Sequence, residues 1–202
     1  MSAREAILRR LSGGPAGDIR AEADALLRGP ERPAIDRAGL VEAFADRLAG
    51  PSVSATLDRV ARLEDVPGVV RRYLEEAGMA GLYLPPNPLL ASLDWSGLQI
   101  ESRCAIDGGA ALAVASAAVA ETGTLVLDTT PTAPMLPNFL ALHHIVLVRR
   151  ETLVVHLEDV PPPAGWPRAR YWITGVSGTT DIEGQYVRGA HGPRFLHVLL
   201  IG

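Results

Sequence analysis

The residues with the clearest chemical potential stand in a loop near the end of the chain that is rich in glycine and hydroxyl side chains. An apolar run, Arg170–Thr174, leads into this loop. Glycine lets the backbone approach a ligand closely, and free amide and hydroxyl groups supply hydrogen-bond donors. The loop therefore predicts a cradle for an anion or another polar ligand. Its members are Gly175, Ser177, Gly178, Thr179 and Thr180.

Two acids and a histidine follow the loop. Asp181 and Glu183 come directly after it, and acids in such positions are typical of the first turn of a helix, so we predict that a helix begins there. His191 stands in the segment Gly189-Ala-His-Gly-Pro193, whose glycines favour exposure of the imidazole. His191 is therefore the best candidate for a functional histidine, with a simple turn as the alternative.

The chain order Ser177, Asp181, His191 matches that of one class of hydrolase triad. A nucleophile elbow has the pattern Gly-x-Ser-x-Gly, whereas Gly175-Val-Ser-Gly-Thr179 has threonine in the second glycine position. Asp181 also lies only four residues after Ser177, which places both in one loop. The sequence therefore disfavours a triad.

A second polar group stands in the middle of the chain, just before the apolar run 125–127. It consists of Glu121, Thr122, Gly123 and Thr124. A carboxylate beside two hydroxyls and a glycine could serve as a nucleophile or a base. The same residues also fit a structural turn in which Glu121 bonds to neighbouring amides, and the pattern alone favours the turn.

The histidines and the single cysteine show no metal-binding pattern. Neighbouring residues on a strand point to opposite faces, so His143 and His144 cannot both face one site. No histidine spacing resembles a zinc motif. Cys104 alone cannot form an internal disulfide or a thiolate metal site. We therefore predict no metal and no cofactor in this chain.

Composition narrows the class of protein. The net charge is −4, which argues against nucleic acid binding, and all 19 Lys or Arg positions are arginine, which excludes lysine chemistry. No apolar run is long enough for a membrane span, and the N-terminus lacks the pattern of a signal peptide. Together with the single cysteine, these features predict a cytoplasmic protein.

The elements that must position the polar residues predict an α/β domain. Residues 1–34 predict a helical and irregular N-terminal extension, in which a helical stripe over 7–11 precedes closely spaced glycines and prolines. Residues 35–202 alternate helix patterns, such as 67–78, with short apolar strands, such as Gly81–Leu84. This alternation is typical of a layered α/β domain.

The second half of the chain predicts mainly strands. The small residues of Gly109–Ala120 suit a tightly packed internal element. The apolar runs 144–148 and 153–155 flank a charged turn and predict a β-hairpin. Two further apolar runs, Arg170–Thr174 and Leu196–Ile201, predict the final strands.

Several motifs resemble, in sequence and in order, those of the lactate-utilisation (LUD) domain family. The resemblance covers about residues 36–202, and the length and N-terminal extension are similar to the stand-alone C-type lactate-utilisation proteins. The matching motifs are Ala120-Glu-Thr-Gly-Thr-Leu-Val-Leu127, Leu136-Pro137 with His143-His-Ile-Val146, Ser177-Gly-Thr-Thr-Asp-Ile-Glu183, and Gly189-Ala-His-Gly-Pro-Arg194 with Leu196-His-Val198.

This resemblance implies a three-layer α/β sandwich of the sugar-isomerase/CoA-transferase-like type. It also implies a role in the oxidation of L-lactate to pyruvate, beside partner proteins that hold iron–sulfur clusters. The chain lacks the cysteines for such a cluster, so it would be the non-redox, accessory member. A polar-ligand pocket would be formed by Glu121–Thr124, Ser177–Asp181 and His191.

The chain departs from the family in its arginines. Family members usually have Ser-Arg-Thr-Ala-Asp-Ile-Glu where this chain has Ser177-Gly-Thr-Thr-Asp-Ile-Glu183, and an arginine usual in the loop after the Glu-Thr-Gly-Thr strand is absent from 128–136. Arginine is the residue that holds a carboxylate through two parallel hydrogen bonds. Arg188 and Arg194 are the candidates to replace it.

Two other functions remain open from the sequence. The chain could be a stand-alone enzyme of the superfamily, with Glu121 as nucleophile or base on a CoA thioester or a sugar phosphate. It could also be a non-catalytic interaction module that docks a partner through its N-terminal helix and linker.

Overall fold

The computed structural model describes residues 4–5, 18–26, 32, 34–163 and 165–202. The chain divides between Ala34 and Ile35 into two compact units. In the first unit, Ile19–Leu26 forms helix α1, whose first turn is capped by the Asp18 carboxylate. The predicted helical stripe over 7–11 lies outside the described residues.

The second unit is organised around a parallel sheet of six strands, counted over 34–163 and 165–202. Among the middle strands, β4 and β12 are almost entirely apolar and β7 is apolar over Ile145–Val148, as expected where both faces of a sheet are covered. In spatial order the strands are β1 (Thr56–Val60), β12 (Phe195–Ile201), β7 (His143–Arg149), β4 (Ala110–Val114), β2 (Gly81–Tyr83) and β3 (Gln99–Glu101).

A smaller mixed sheet contains four strands in the same described ranges. In order they are β8 (Leu153–Val154), β5 (Ala117–Val119), β6 (Thr124–Asp128) and β9 (Arg170–Ile173). The small-residue segment 109–120 thus supplies one strand to each sheet. The predicted hairpin over 144–155 is wrong, because β7 lies between β12 and β4 in the parallel sheet while β8 pairs with β5.

Helices cover the sheets. They are α2 (Leu40–Ala49), α3 (Val66–Glu76) and two single-turn helices, α4 (Pro88–Ala91) and α5 (Pro137–Leu140). Pro67 stands in the first turn of α3, where its missing amide costs nothing. Gly78 adopts φ +67° just after this helix and ends it. No helix in the described part of the chain is long and apolar enough to cross a membrane.

The core lies on both faces of the parallel sheet. One face packs against α2 and the small sheet through Phe44, Leu125 and Val146. The other packs against α3 and α4 through Val70, Leu90 and Ile145. Helices, parallel sheet and small sheet form three layers, which confirms the predicted α/β sandwich.

The predicted helix after the glycine-rich loop is wrong. Gly178–Thr180 (β10) and Tyr186–Arg188 (β11) instead form an antiparallel hairpin. The Asp181 carboxylate accepts a hydrogen bond from the Gln185 amide at 2.7 Å, and Gly184 takes φ +79° in the turn. Aspartate and glycine stabilise a tight turn as readily as a helix start, and here the turn is formed.

Candidate functional site

A pocket of about 300 Å³ lies beside the loop between β9 and β10, and we call it the loop pocket. Its polar residues come from α5, from the start of β7 and from the loops before β10 and β12. Two partly exposed aromatic side chains, Phe139 and Trp172, form part of its wall. The polar residues are Asn138, His144, Ser177 and His191.

Backbone contacts hold the two loops of this pocket together. The Ser177 amide donates to the Pro193 carbonyl at 2.9 Å, and the Gly189 amide donates to the Ser177 carbonyl at 2.7 Å. Gly175 adopts φ +89°, and a Cβ there would lie 2.7 Å from the Val53 carbonyl oxygen. Glycine is therefore required for the loop to pass this close to neighbouring backbone.

His144 contributes an imidazole that is sealed from solvent. Its Nε2 lies 3.1 Å from Asn138 Oδ1, and the Asn138 side-chain amide donates to the Tyr171 hydroxyl. Burial lowers the pKa of His144 to about 3, so the ring is neutral near pH 7. With Nε2–H donating to Asn138, Nδ1 is left as an acceptor that has no partner among the described residues.

An unpartnered buried acceptor costs about 1–3 kcal/mol of folding free energy. Because Nδ1 has almost no exposed surface, it is not open to a ligand in the loop pocket. The neutral imidazole of His144 brings no positive charge to this pocket. Among the described residues no arginine lines the loop pocket, and the other histidine in its wall is the exposed His191.

Only some of the predicted ligand-binding residues line this pocket. Ser177 and His191 do so. Gly178, Thr179 and Thr180 lie in the exposed hairpin, and Asp181 forms its turn.

The predicted group Glu121–Thr124 spans the turn between β5 and β6 and the first residue of β6, and none of its residues lines the loop pocket. Glu121 Oε2 lies 3.2 Å from His156 Nδ1. The hydroxyl of Thr124 lies 2.6 Å from those of Thr122 and Thr174. Gly123 takes φ +71°. The structure therefore does not bring the three predicted groups into one pocket, and Glu121–Thr124 has the contacts of a structural turn.

Sequence reasoning missed the buried polar network of the loop pocket. Asn138 and Tyr171 stand in apolar or proline-rich surroundings, and nothing in their neighbours marks them. His144 does carry a signal, because it stands in β7 directly before four apolar residues, Ile145–Val148. Strand alternation predicted that His143 and His144 face opposite ways, and their contacts confirm this. His143 Nδ1 lies 2.9 Å from the Tyr73 hydroxyl on α3, whereas His144 Nε2 lies 3.1 Å from Asn138 Oδ1 on α5.

A metal site is not evident in this region. Within the described ranges, no group of three or more His, Cys, Asp or Glu side chains is arranged to hold a metal ion. Cys104 is partly buried, which raises the pKa of its thiol.

Comparison with known proteins gives three matches. Residues 105–201 match the family model described as the LUD domain. A relative from Deinococcus radiodurans, Lactate utilization protein C, is 29% identical over 184 residues, which cover 83% of this chain and 82% of the relative. The predicted resemblance to the LUD domain family is thereby confirmed.

The third match is a crystal structure of a DUF162 family protein, also from Deinococcus radiodurans. It is similar in fold, with a TM-score of 0.56 and 20% sequence identity, over 84% of this chain and 100% of that chain. The similarity supports the α/β sandwich and carries no information on the ligand.

Proposed function

We propose that this chain, which resembles the LUD domain family over most of its length, takes part in lactate utilisation. In this proposal it is the accessory, non-redox component of a cytoplasmic system that oxidises L-lactate to pyruvate. The observation that carries the proposal is the 29% identity with Lactate utilization protein C over more than four-fifths of both chains.

The partners we expect are iron–sulfur proteins. Oxidation of lactate to pyruvate removes two electrons and two protons, so the system needs an electron acceptor. Iron–sulfur clusters are held mainly by several cysteine thiolates. This chain has one cysteine, Cys104, so under this proposal any cluster belongs to the partners.

Under this proposal the loop pocket binds a small polar molecule. The neutral imidazole of His144 and the side chain of Asn138 contribute uncharged polar groups to its wall. Ser177 adds a hydroxyl and His191 an imidazole at the exposed side. A volume of about 300 Å³ suits a molecule of modest size.

The geometry favours this proposal over an enzyme that acts through Glu121. A nucleophile or base on a thioester must reach a bound substrate. The Glu121 carboxylate is hydrogen-bonded to His156 instead, and Glu121 does not line the loop pocket. No contact of the described residues supports the thioester or sugar phosphate chemistry.

The proposal is tested by deleting the gene in its native organism and measuring growth with L-lactate as the only carbon source. We expect growth on lactate to fail, growth on glucose to be normal, and the wild-type gene to restore growth. Affinity purification of the restored protein from lactate-grown cells should recover cysteine-rich iron–sulfur proteins.

Two variants separate the pocket from the rest of the chain. His191→Ala should restore growth poorly, whereas His156→Ala, which removes a histidine outside the loop pocket, should restore it fully. Normal growth of the deletion strain on lactate would overturn the proposed function. Full rescue by His191→Ala would show that the proposed function does not depend on His191.

A further inference from the structure

We propose that this protein binds short monocarboxylates in a second pocket, on the opposite face of the parallel sheet, with Arg188 holding the carboxylate. The inference deepens the proposed function and rests on it only for the choice of lactate as the natural ligand. The binding itself is argued from the pocket.

This second pocket, the arginine pocket, has a volume of about 510 Å³. It lies where β1, β7 and β12 begin, beside the C-terminal end of α3. Its residues combine one cation, one acid, aromatic rings and a partly buried hydroxyl, that of Tyr73. They include Thr56, Tyr73, Glu76, His143, Arg188 and Phe195.

The guanidinium of Arg188 is held in place by backbone. Its Nε donates to the Arg194 carbonyl at 2.7 Å, and its Nη2 donates to the Ser54 carbonyl at 3.2 Å. The guanidinium carbon lies 5.5 Å from the centre of the Phe195 ring. Nη1 has no partner among the described residues. A fixed arginine with a free end can bind a carboxylate with little further loss of side-chain freedom.

A wall of stacked rings places a second polar group, the imidazole of His143, in the same pocket. Tyr73 stacks on His197 with ring centres 4.2 Å apart, and His143 stacks on Phe195 at 4.4 Å. The Tyr73 hydroxyl lies 2.9 Å from His143 Nδ1.

These contacts keep both groups uncharged. Burial raises the pKa of Tyr73 to about 12, so its hydroxyl stays protonated, and that hydroxyl shares one hydrogen bond with Nδ1. Burial also lowers the pKa of His143, which keeps the ring neutral. In the tautomer in which the hydroxyl donates to Nδ1, the ring proton sits on Nε2, and His143 is then a hydrogen-bond donor in the pocket that contains the guanidinium of Arg188.

The charges of the two pockets indicate that the carboxylate of a ligand binds in the arginine pocket rather than in the loop pocket. The loop pocket offers an anion no arginine among its described residues, and His144 is neutral there. In the arginine pocket the exposed carboxylate of Glu76 disfavours ligands with two negative charges. Met79 and Leu142 supply apolar surface for a short hydrocarbon group. These features together fit a single carboxylate with a short apolar tail.

The test is a titration of the purified full-length protein with L-lactate and with propionate, followed by calorimetry and by NMR. We expect saturable binding of both acids, with the largest signal changes at His143, Arg188 and Phe195. Arg188→Gln should weaken binding about 10-fold to 100-fold, since it removes a charge-assisted contact. Arg149→Gln is the matched control, because Arg149 lies at the other end of β7, in an exposed ion pair with Glu151 and outside the pocket.

A second control changes the ligand instead of the protein, so its result does not depend on whether a variant folds. Lactamide has the shape of lactate without its charge, so the wild-type protein should bind it at least 10-fold more weakly than lactate. Equal binding of lactamide, absence of saturable binding by either acid, or full binding by a folded Arg188→Gln protein would each overturn the proposal. So would a loss of binding in His191→Ala together with full binding in Arg188→Gln.

The outcome is separate from that of the growth experiment. If the deletion strain grows normally on lactate while the protein binds monocarboxylates through Arg188, the proposed function fails and this inference stands. If growth on lactate fails while no acid binds, the proposed function stands and this inference fails.

Discussion

Two buried histidines should make the free energy of unfolding fall as the pH drops below 6.5. His144 is fully buried and His197 is 3% exposed. Burial, the main cause in both, lowers the pKa of His144 to about 3 and that of His197 to about 4, from an ordinary value of 6.5. The unfolded chain therefore binds more protons than the native protein between these values, and stability is lost as the pH falls through that window.

The size of the effect follows from the unfolded pKa. One pKa unit is worth about 1.4 kcal/mol, so at pH 5 the protonation of each histidine favours the unfolded chain by about 2 kcal/mol. This figure hardly depends on the native pKa values as long as both stay below 4.5. The two sites together lower the free energy of unfolding by about 4 kcal/mol between pH 7 and pH 5. His143, whose pKa burial also lowers, acts in the same direction.

Carboxylates do not obscure this window. The Arg170 guanidinium lowers the pKa of Asp128, and stability from such a depressed carboxyl is present above its ordinary value of 3.8 and is lost only below it. The measurement is urea denaturation at pH 7, 6 and 5, for the wild type and for His144→Gln and His197→Gln. Each variant should lose about 2 kcal/mol less than the wild type over this range.

His191→Gln serves as the control, because it removes an exposed histidine and leaves both buried histidines in place. A wild-type protein whose stability is flat from pH 7 to pH 5 would refute the reasoning. The same holds if both buried-histidine variants keep the full wild-type slope.

Two further changes test the local geometry. Gly175→Ala should cost about 2–4 kcal/mol in urea denaturation, because its Cβ would meet the backbone of Val53, whereas Gly184→Ala, also at positive φ but with open space around it, should cost about 1 kcal/mol. Equal costs would show that the close approach at Gly175 is not rigid. Glu121→Gln should change stability by about 1 kcal/mol or less and leave growth on lactate intact, since the carboxylate contacts His156 rather than a pocket. Failure of that variant to support growth, with normal folding, would return Glu121 to the functional site.

The fold was largely predictable because its strands carry local signals. The strands at 81–83, 170–173 and 195–201 match, to within one residue at each end, runs that the apolar pattern marked. The pairing of strands was not predictable from the same pattern. β7 and β8 are neighbours in sequence with a short charged turn between them, yet they enter different sheets. A local pattern records which residues are apolar and not which strand lies alongside.

The sequence predicted the candidate site only where glycine residues marked a loop. Ser177 and His191 stand in glycine-containing loops, and these loops do meet in one pocket. Gly178–Thr180 has the same composition, but Asp181 and Gly184 allow a tight turn that projects this segment as a hairpin. The choice between helix and hairpin depends on pairing with residues 186–188, which a motif does not encode.

The start of β7 explains why the molecule has two pockets of different chemistry. Adjacent residues on a strand face opposite sides, so His144 faces the loop pocket and His143 the arginine pocket, while Leu196 lines both. The neutral imidazole of His144 gives the loop pocket no charge with which to bind an anion, whereas the fixed guanidinium of Arg188 suits one. The parallel sheet therefore keeps a neutral polar pocket and an anion-binding pocket on opposite faces. An arginine in the glycine-rich loop would place both functions in one pocket. The absence of arginine from 175–187 is consistent with this division, because the anion-binding role falls to Arg188 on the other face.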